Sequence, residues 1–348
     1  MKKILTILLS ALLVTSLAAC STDAPKEGGQ TTDGEKKYVV GFVTDTGGLG
    51  DQGYNDAVYS GLTKASEELG FEVKMVESKE IGDYANNLRA VFNDGADVAI
   101  CAGASFADAV IQVAAEYPDK TILAFDAEVD GVENVVSSMF KEEEAAFVLG
   151  AFAGLVTKTG TVGYIAGVES PLQERAKNGF EAGFMTTNPT GKVIGIYAGT
   201  YNDVGKGKEI ANTLFTQGAD YVASFAGACN LGVFQAATDA GEGKYALGAA
   251  LGQFDKNPEK IIASQVKTVD LTVYNALNEF IGGTSSTGIT TRGIKEGGVD
   301  ILFNPNADLV KTVASDEILQ QVDAIRTQVM NGEIQIPLTK EDLASFGK

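Results

Sequence analysis

The residues of this 348-residue chain that could do chemistry are carboxylates, tyrosines and a lysine placed directly after short apolar segments. Asp45 follows GFVT, Asp126 follows TILAF, and Lys267 follows IIASQV. Tyr201 and Gly227 come after two further segments of the same kind. If these segments are parallel strands, their carboxyl ends share one edge, where doubly wound sheets bind ligands. Such groups would bind the hydroxyls of a polar solute, and the tyrosines would stack on a ring.

The segment from Asp45 to Asp56, DTGGLGDQGYND, joins a glycine-rich turn to the start of a helix. Backbone N–H groups at such a place can hold a phosphate. Here no lysine followed by Ser or Thr comes after the glycines, the GxGxxG spacing is absent, and the aspartates at 45, 51 and 56 would repel a phosphate. A turn that lets the backbone approach a neutral ligand fits better, with Tyr54 as an aromatic surface.

Catalysis has little support in this composition. The chain has no histidine and no GxSxG motif, and Cys101 and Cys229 belong to apolar segments, where a thiolate is disfavoured. Paired carboxylates alone would suit a glycosidase, and this enzyme reading stays open beside that of a binding protein. Without CxxC spacing or histidine we expect no metal site, no cofactor, and two buried free thiols rather than a disulfide.

The elements that would position these residues alternate between apolar strands and amphipathic helices, which is the βαβ pattern of α/β proteins. The segment NDGADVAICAGA at 93–104 nearly recurs as TQGADYVASFAGA at 216–228. Two similarly built lobes would account for this recurrence, with a ligand cleft between them that closes by a hinge. An aspartate at a strand end can also simply cap the next helix, and a tyrosine can fill the edge of a core.

The amino-terminal residues indicate secretion and lipid attachment. Lys2 and Lys3 precede an apolar stretch from Ile4 to Val14, and the sequence Leu-Ala-Ala stands before Cys20. This is the pattern of a lipoprotein signal peptide over 1–19, with Cys20 as the lipidated residue. The alternative is an ordinary cleaved signal with an incidental cysteine. Residues 20–37 are rich in Gly, Thr and charge and predict a tether.

Charge excludes one large class of partner. Removal of residues 1–19 takes away two lysines and no acid, so the net charge falls from −19 to −21. We therefore expect no nucleic-acid partner. A signal peptide stands where a repressor of this architecture would carry a DNA-binding helix-turn-helix, so a cytoplasmic repressor is also excluded.

The chain resembles a known family, the basic membrane lipoproteins of the purine nucleoside receptor type, which are ABC transporter substrate-binding proteins of the type I periplasmic binding protein fold. The resemblance covers almost all of the chain after the signal peptide and is carried by the segments VTDTGGLGDQGYNDAVYSGL, AFDAEVDG, EAAFVLGAFAG, VGYIAGVESPLQERAKNGFEAGF, GTYNDVGKGKEIA, FAGACNLGVFQAA and IIASQVKTVD. It implies two doubly wound parallel-sheet lobes joined by a hinge, one over 38–137 plus 266–295 and the other over 138–265 plus 296–348.

The resemblance also implies roles for single residues in a cleft that holds a nucleoside. Aromatic side chains from the two lobes clamp the base in that family, and they match Tyr54 and Tyr201 here. The base-binding positions match Asn55 and Asp126, with Asp45 beside them, and the ribose-binding positions match Gly227 and Lys267.

Two departures from the family bear on specificity. The family usually has phenylalanine at both clamp positions, so two tyrosines make the slot more polar. In LGAALGQFD, Ala250 stands where the family has an aspartate that grips the ribose hydroxyls, and only Gln253 is kept. Ribose hydroxyls left unpaired in a closed cleft would cost about 1–3 kcal/mol.

Taken together, the sequence predicts a lipid-anchored protein on the extracytoplasmic face of the cell membrane. It would bind a small molecule, a purine nucleoside by resemblance, and deliver it to an ABC permease. Two alternatives stay open: a receptor for a sugar-like or other small polar solute, and a receptor that signals instead of transporting.

Overall fold

The computed structural model describes residues 37–347. The predicted signal peptide, Cys20 and all of the predicted tether except Lys37 lie outside the described residues. Within 37–347, no helix combines the length and apolar character needed to cross a membrane.

Strands and helices alternate along the described residues. The strands are β1 (Val39–Val43), β2 (Glu72–Val76), β3 (Val98–Ala102), β4 (Thr121–Phe125), β5 (Val135–Phe140), β6 (Thr161–Ala166), β7 (Lys192–Tyr197), β8 (Tyr221–Phe225), β9 (Tyr245–Gly248), β10 (Ile261–Lys267), β11 (Gly288–Arg292) and β12 (Val299–Phe303). The helices are α1 (Tyr54–Leu69), α2 (Tyr84–Asn93), α3 (Ala107–Glu116), α4 (Glu142–Val156), α5 (Pro171–Thr187), α6 (Val204–Thr216), α7 (Cys229–Asp239), α8 (Val269–Ile281), α9 (Ala307–Val313), α10 (Asp316–Met330) and α11 (Lys340–Ser345).

The strands form two six-stranded sheets with equivalent connections. Their orders are β11-β5-β4-β3-β1-β2 and β12-β10-β9-β8-β6-β7. Every pairing is parallel except that of β12 with β10, which is antiparallel. Strands covered by helices on both faces are mostly apolar. Every residue of β3 and β10 is buried, including the polar Ser264, Gln265 and Lys267 of β10. The predicted fold class of two doubly wound lobes is confirmed.

The internal recurrence lies at equivalent places in the two sheets. The first copy supplies β3, which pairs with β1, and the second supplies β8, which pairs with β6. In each copy, the aspartate of Gly-Ala-Asp accepts a hydrogen bond from a backbone N–H near the start of the neighbouring strand, β1 or β6. Asp97 Oδ2 accepts a hydrogen bond from the N–H of Val39 at 3.0 Å, and Asp220 Oδ2 accepts one from the N–H of Lys158 at 2.7 Å.

Helix α4 is the first element of the second lobe and packs against the sheet of that lobe. Its apolar sequence is buried along almost its whole length, and it packs on α5 through glycines. A Cβ atom on Gly150 would lie 1.9 Å from the carbonyl oxygen of Phe180, and one on Gly183 would lie 1.9 Å from that of Phe147. The two backbones therefore touch only because these residues have no side chain.

The chain crosses between the sheets three times. Strand β5 ends in the first sheet at Phe140 and α4 begins at Glu142, β10 ends in the second sheet at Lys267, and residues 293–298 join β11 to β12. The expected lobe boundaries at 137/138 and 265/266 fall inside β5 and β10, so the sheets put these two crossings two or three residues later. The helical spacing of Ile318, Leu319, Val322, Ile325 and Val329 predicts α10 as the last helix, but α11 follows it.

Candidate functional site

A cavity lies where the carboxyl ends of the two sheets face each other. The lining includes seven of the eight residues predicted to bind ligand: Asp45, Tyr54, Asn55, Asp126, Tyr201, Gly227 and Lys267. The cavity holds roughly 870 Å³ of space between protein atoms, part of it open to solvent, which suits a small molecule. The eighth residue, Gln253, is not on the wall, although Ala250 from the same loop is.

The glycine-rich loop is held by its own carboxylates. Asp45 Oδ1 accepts hydrogen bonds from the N–H of Gly47 at 2.8 Å and from Asn55 Nδ2 at 2.7 Å. Asp51 accepts bonds from the backbone N–H groups of Gly53 and Asn55 and so caps α1. Asp51 therefore fits the helix-capping alternative, while Asp45 and Asn55 present a carboxylate and an amide to the cavity.

Burial dominates the protonation of Asp45. Loss of solvent raises its pKa to about 6, the hydrogen bonds from Asn55 and Gly47 act to lower it, and the nearby charges of Asp51 and Asp126 raise it. This carboxyl changes its charge near neutral pH, so pH alters the acceptor that it offers to a ligand.

Lys267 sits at the centre of a buried ion cluster. Its Nζ lies 2.8 Å from Asp126 Oδ2 and 2.5 Å from Glu142 Oε1, and all three side chains are at least 95% buried. Glu142 opens α4, where the positive end of the helix favours a carboxylate, and Arg175 Nη2 lies 3.7 Å from its Oε2. Two of the three N–H bonds of Lys267 are therefore already donated to carboxylates, and one remains for a ligand in the cavity.

The cluster shifts the pKa of two of its members upward. Burial raises the pKa of Glu142 to about 7, although the attraction of Lys267 acts to lower it and the charge of Asp126 adds to the rise. Burial alone would lower the pKa of Lys267, but the charges of Asp126 and Glu142 outweigh burial and raise it. The lysine is therefore charged at neutral pH.

Tyr54 covers this cluster on the cavity side. The Lys267 ammonium group lies 5.3 Å from the centre of the Tyr54 ring, 4.8 Å from that of Phe140 and 5.7 Å from that of Phe225. Among the described residues, neither the Tyr54 hydroxyl nor Asp126 Oδ1 has a partner at good hydrogen-bond geometry, although the two side chains are close enough for a weak bond between them to add to the rise in the pKa of Tyr54. Buried polar atoms normally have one, so both are candidates to contact a ligand. Burial and the charge of Asp126 hold the pKa of Tyr54 well above its ordinary value.

The second lobe supplies the opposite aromatic wall. Tyr201 lies against Gly167 so closely that a Cβ atom there would be 2.0 Å from Tyr201 Cε1. Gly227 has φ +58, and a Cβ atom on it would lie 2.7 Å from the Tyr201 carbonyl oxygen. Burial, followed by the charge of Asp45, raises the pKa of Tyr201 to about 12, so the ring presents a neutral hydroxyl.

Several residues in or behind the cavity wall were not predicted from the sequence. Glu142 belongs to a run of three glutamates that reads as an exposed helix start, and Gln173 and Asn230 lie within or near helices, with no strand end to point to them. Tyr84 stacks on Phe106 with ring centres 3.8 Å apart, and its hydroxyl accepts a hydrogen bond from the N–H of Thr46 in the glycine-rich loop. Its helical spacing with Leu88, Val91 and Phe92 predicts Tyr84 only as a core residue.

Cys101 and Cys229 lie in surroundings that do not favour a reactive thiolate. Both thiols are buried and free, as predicted, and burial raises the pKa of each. Across residues 37–347, no group of three or more Cys, Asp and Glu side chains is arranged to hold a metal ion.

Two facing α/β lobes with a polar and aromatic cavity between them define a solute-binding protein. The chain belongs to the family described as "ABC transporter substrate-binding protein PnrA-like", whose model matches residues 38–340. This confirms the resemblance seen in the sequence, and the family is one of solute-binding proteins rather than enzymes.

Individual relatives agree with this family. The chain is 31% identical to an uncharacterized lipoprotein of Pyrococcus abyssi over 90% of its length and 83% of the relative. It is 27% identical to Basic membrane protein A of Borreliella burgdorferi over 100% of its length and 99% of the relative. A crystal structure of an ABC transporter solute-binding protein from Aeropyrum pernix superposes with a TM-score of 0.82 at 25% identity, covering 88% of this chain and 96% of that one.

Proposed function

We propose that this protein captures a purine nucleoside outside the cytoplasm and delivers it to an ABC permease. One observation carries the proposal. Tyr54 of the first lobe and Tyr201 of the second line the same cavity, together with the unpaired buried acceptor Asp126 Oδ1. A planar base that brings N–H donors would stack on aromatic rings and supply the missing hydrogen bond.

The remaining polar groups divide between the two parts of such a ligand. Asp45 in the glycine-rich loop and Asn55 beside Tyr54 would accept hydrogen bonds from base N–H groups, because both N–H bonds of the Asn55 amide are already donated to Asp45 and Asp51. Gly227 and Lys267 come from the second lobe and would face the ribose. Because two N–H bonds of Lys267 are used by Asp126 and Glu142, it can donate at most one hydrogen bond to a hydroxyl.

Ala250 favours a second candidate, a sugar-like or other small polar solute. It lies on the cavity wall without a polar side chain, and the cavity wall therefore lacks a carboxylate at the point where a vicinal diol would be gripped. A ligand that makes few contacts at Ala250 would bind with the same affinity whether or not a carboxylate stood at this position.

The test is a thermal-shift screen of the purified protein with guanosine, inosine, adenosine, their free bases and pentoses, followed by calorimetry on each hit. A ligand at a hundred times its Kd adds about 2.7 kcal/mol to the free energy of unfolding. We expect stabilisation by nucleosides, with the ligand recovered unchanged after incubation. A response to pentoses alone would replace the nucleoside by the second candidate, and conversion of the ligand would contradict a purely binding role.

The membrane location is part of the same proposal. Diacylglycerol on Cys20 would hold the protein at the cell surface beside its permease. Replacing the thiol in Cys20→Ser should move the protein from the membrane fraction to the soluble extracytoplasmic fraction and abolish labelling by radioactive palmitate. Unchanged fractionation and labelling of Cys20→Ser would contradict lipid attachment at this residue.

A further inference from the structure

Gln253 makes its contacts across the cleft and away from the cavity. Its Nε2 donates a hydrogen bond to the backbone carbonyl oxygen of Gln52 at 2.9 Å, and Gln52 belongs to the glycine-rich loop of the first lobe. Its Oε1 accepts a bond from Asn230 Nδ2 at 3.1 Å. One side-chain amide therefore joins a helix of the second lobe to the ligand-facing loop of the first.

Asn230 connects this chain of bonds to the cavity wall. Its Oδ1 accepts a hydrogen bond from the N–H of Ala226 at 3.1 Å, directly before Gly227, and Asn230 itself lines the cavity. Asn230 and Gln253 are both at least 97% buried. A bond broken here leaves a buried amide without a partner, whereas a broken surface bond is replaced by water.

The loop that carries Gln253 is fixed on the second lobe. The Ser264 hydroxyl donates to the carbonyl oxygen of Gly252, and the N–H of Lys267 donates to that of Ala250. Both residues of the cross-cleft bond lie in the left-handed region, Gln52 at φ +49 and Gln253 at φ +58. A residue other than glycine occupies this region at a cost, and the surrounding contacts must hold it there.

We propose that Gln253 is a positioning residue that keeps the cleft closed over the ligand by holding the glycine-rich loop against the second lobe. It does not touch the ligand; it acts through Gln52, which stands two residues before Tyr54. The proposal rests on the proposed function, because it assigns Gln253 to ligand retention and not to ligand contact. Such a residue should slow dissociation and leave association nearly unchanged, since most of the effect of an interface bond appears in the dissociation rate.

The structure offers a matched control. Asn202 of the second lobe also bonds across the cleft, from its Nδ2 to the carbonyl oxygen of Thr46 at 3.1 Å. That bond is exposed, whereas the Gln253 amide is buried and only its partner residue, Gln52, is exposed. If closure depended on the number of cross-cleft bonds alone, Asn202→Ala and a Gln253 variant would behave alike. If burial decides, they will differ.

The experiment measures guanosine association and dissociation rates by stopped-flow tyrosine fluorescence for the purified protein, Gln253→Asn, Gln253→Glu and Asn202→Ala. Asparagine keeps an amide and tolerates positive φ but is too short to reach Gln52, while glutamate keeps the length and places a second acceptor against a carbonyl. We expect both Gln253 variants to release guanosine about tenfold faster, with association changed less than threefold, the size of effect that one buried hydrogen bond gives. Asn202→Ala should change dissociation less than threefold. Equal dissociation rates in all three variants, or a loss confined to association, would overturn the proposal.

A second measurement separates this proposal from the function on which it rests. If the unaltered protein does not bind guanosine, the proposed function fails, and hydrogen exchange without ligand then tests the bond alone. Backbone amides of residues 46–56 should exchange about tenfold faster in Gln253→Asn than in Asn202→Ala. The same exchange in both variants would refute a retaining role for Gln253 whatever the ligand.

Discussion

The Lys267 ammonium group lies 2.8 Å from Asp126 Oδ2, although Lys267 ends a strand of the second sheet and Asp126 follows a strand of the first. Their ion pair therefore bridges the two lobes at the floor of the cleft. Glu142, the third member, stands just after the β5 crossing, and Lys267 stands at the end of β10, where the chain crosses again. The buried charges are thus placed beside two of the connections about which the lobes would turn.

Tyr54→Ala and Tyr201→Ala should each weaken guanosine binding by about 1–3 kcal/mol, because each removes a stacking surface comparable to those that hold single bases. Calorimetry measures the change in Kd. Tyr59→Ala is the control, since Tyr59 belongs to the same helix as Tyr54 but is exposed and outside the cavity. Unchanged affinity in both variants would contradict the stacking of a base between Tyr54 and Tyr201.

Glu142→Ala should lower the free energy of unfolding by about 1–3 kcal/mol, because it removes one of the two acceptors to which the buried Lys267 ammonium group donates. Chemical unfolding measures the change. In the control Glu209→Ala, an exposed ion pair with Lys206 is lost, and the expected change lies between about 0 and 1 kcal/mol. Equal effects would mean that the buried cluster contributes no more than a surface pair.

Stability should fall as the pH rises from about 4 to about 7 because of Asp45 and Glu142. The pKa of each is raised in the folded protein, to about 6 and about 7, so the folded state binds more protons than the unfolded chain over this window. The contribution is complete below the ordinary carboxyl pKa and is lost as the pH passes the raised values. Urea unfolding at several pH values measures the slope, and Asp45→Asn should make it shallower. A slope unaltered by Asp45→Asn would contradict the raised pKa.

Gly167→Ala should weaken guanosine binding through Tyr201. The new Cβ would overlap the ring at 2.0 Å and push it from its place on the cavity wall. A loss of about tenfold in affinity is expected in the unaltered background and almost none in a Tyr201→Ala background, because the two changes act on the same contact. Additive losses measured by calorimetry would show that Gly167 acts by another route.

The strand-end part of the site was predictable because parallel strands place their carboxyl ends on one edge. Asp45, Asp126 and Lys267 followed from this rule without any knowledge of their distances. The sequence does not predict which side chains form hydrogen bonds or ion pairs with them. Glu142 comes from a helix start in a different part of the chain, and its pairing with Lys267 depends on how α4 packs against the second sheet.

The contacts of Gln253 are a second feature that could not be predicted from the sequence. The family resemblance assigned Gln253 to ligand binding, but its backbone is left-handed at φ +58, its side chain bonds to Gln52 of the other lobe, and nothing in the local sequence marks that conformation. Helix α11 was missed for a related reason. It has only six residues, too few for an apolar period to be recognised, and its capping box of Thr339 and Asp342 is a short motif.

The sheet order has a consequence for biosynthesis. The edge strand β11 that completes the first sheet is made only after the whole of β6 to β10, and only six residues separate its end from the start of β12 of the second sheet. Neither lobe is complete when the first 285 residues have left the ribosome, and both gain their last strand almost together. No single cut of the chain between β6 and β10 releases an intact lobe, so neither half can be obtained complete as a separate amino-terminal or carboxyl-terminal piece.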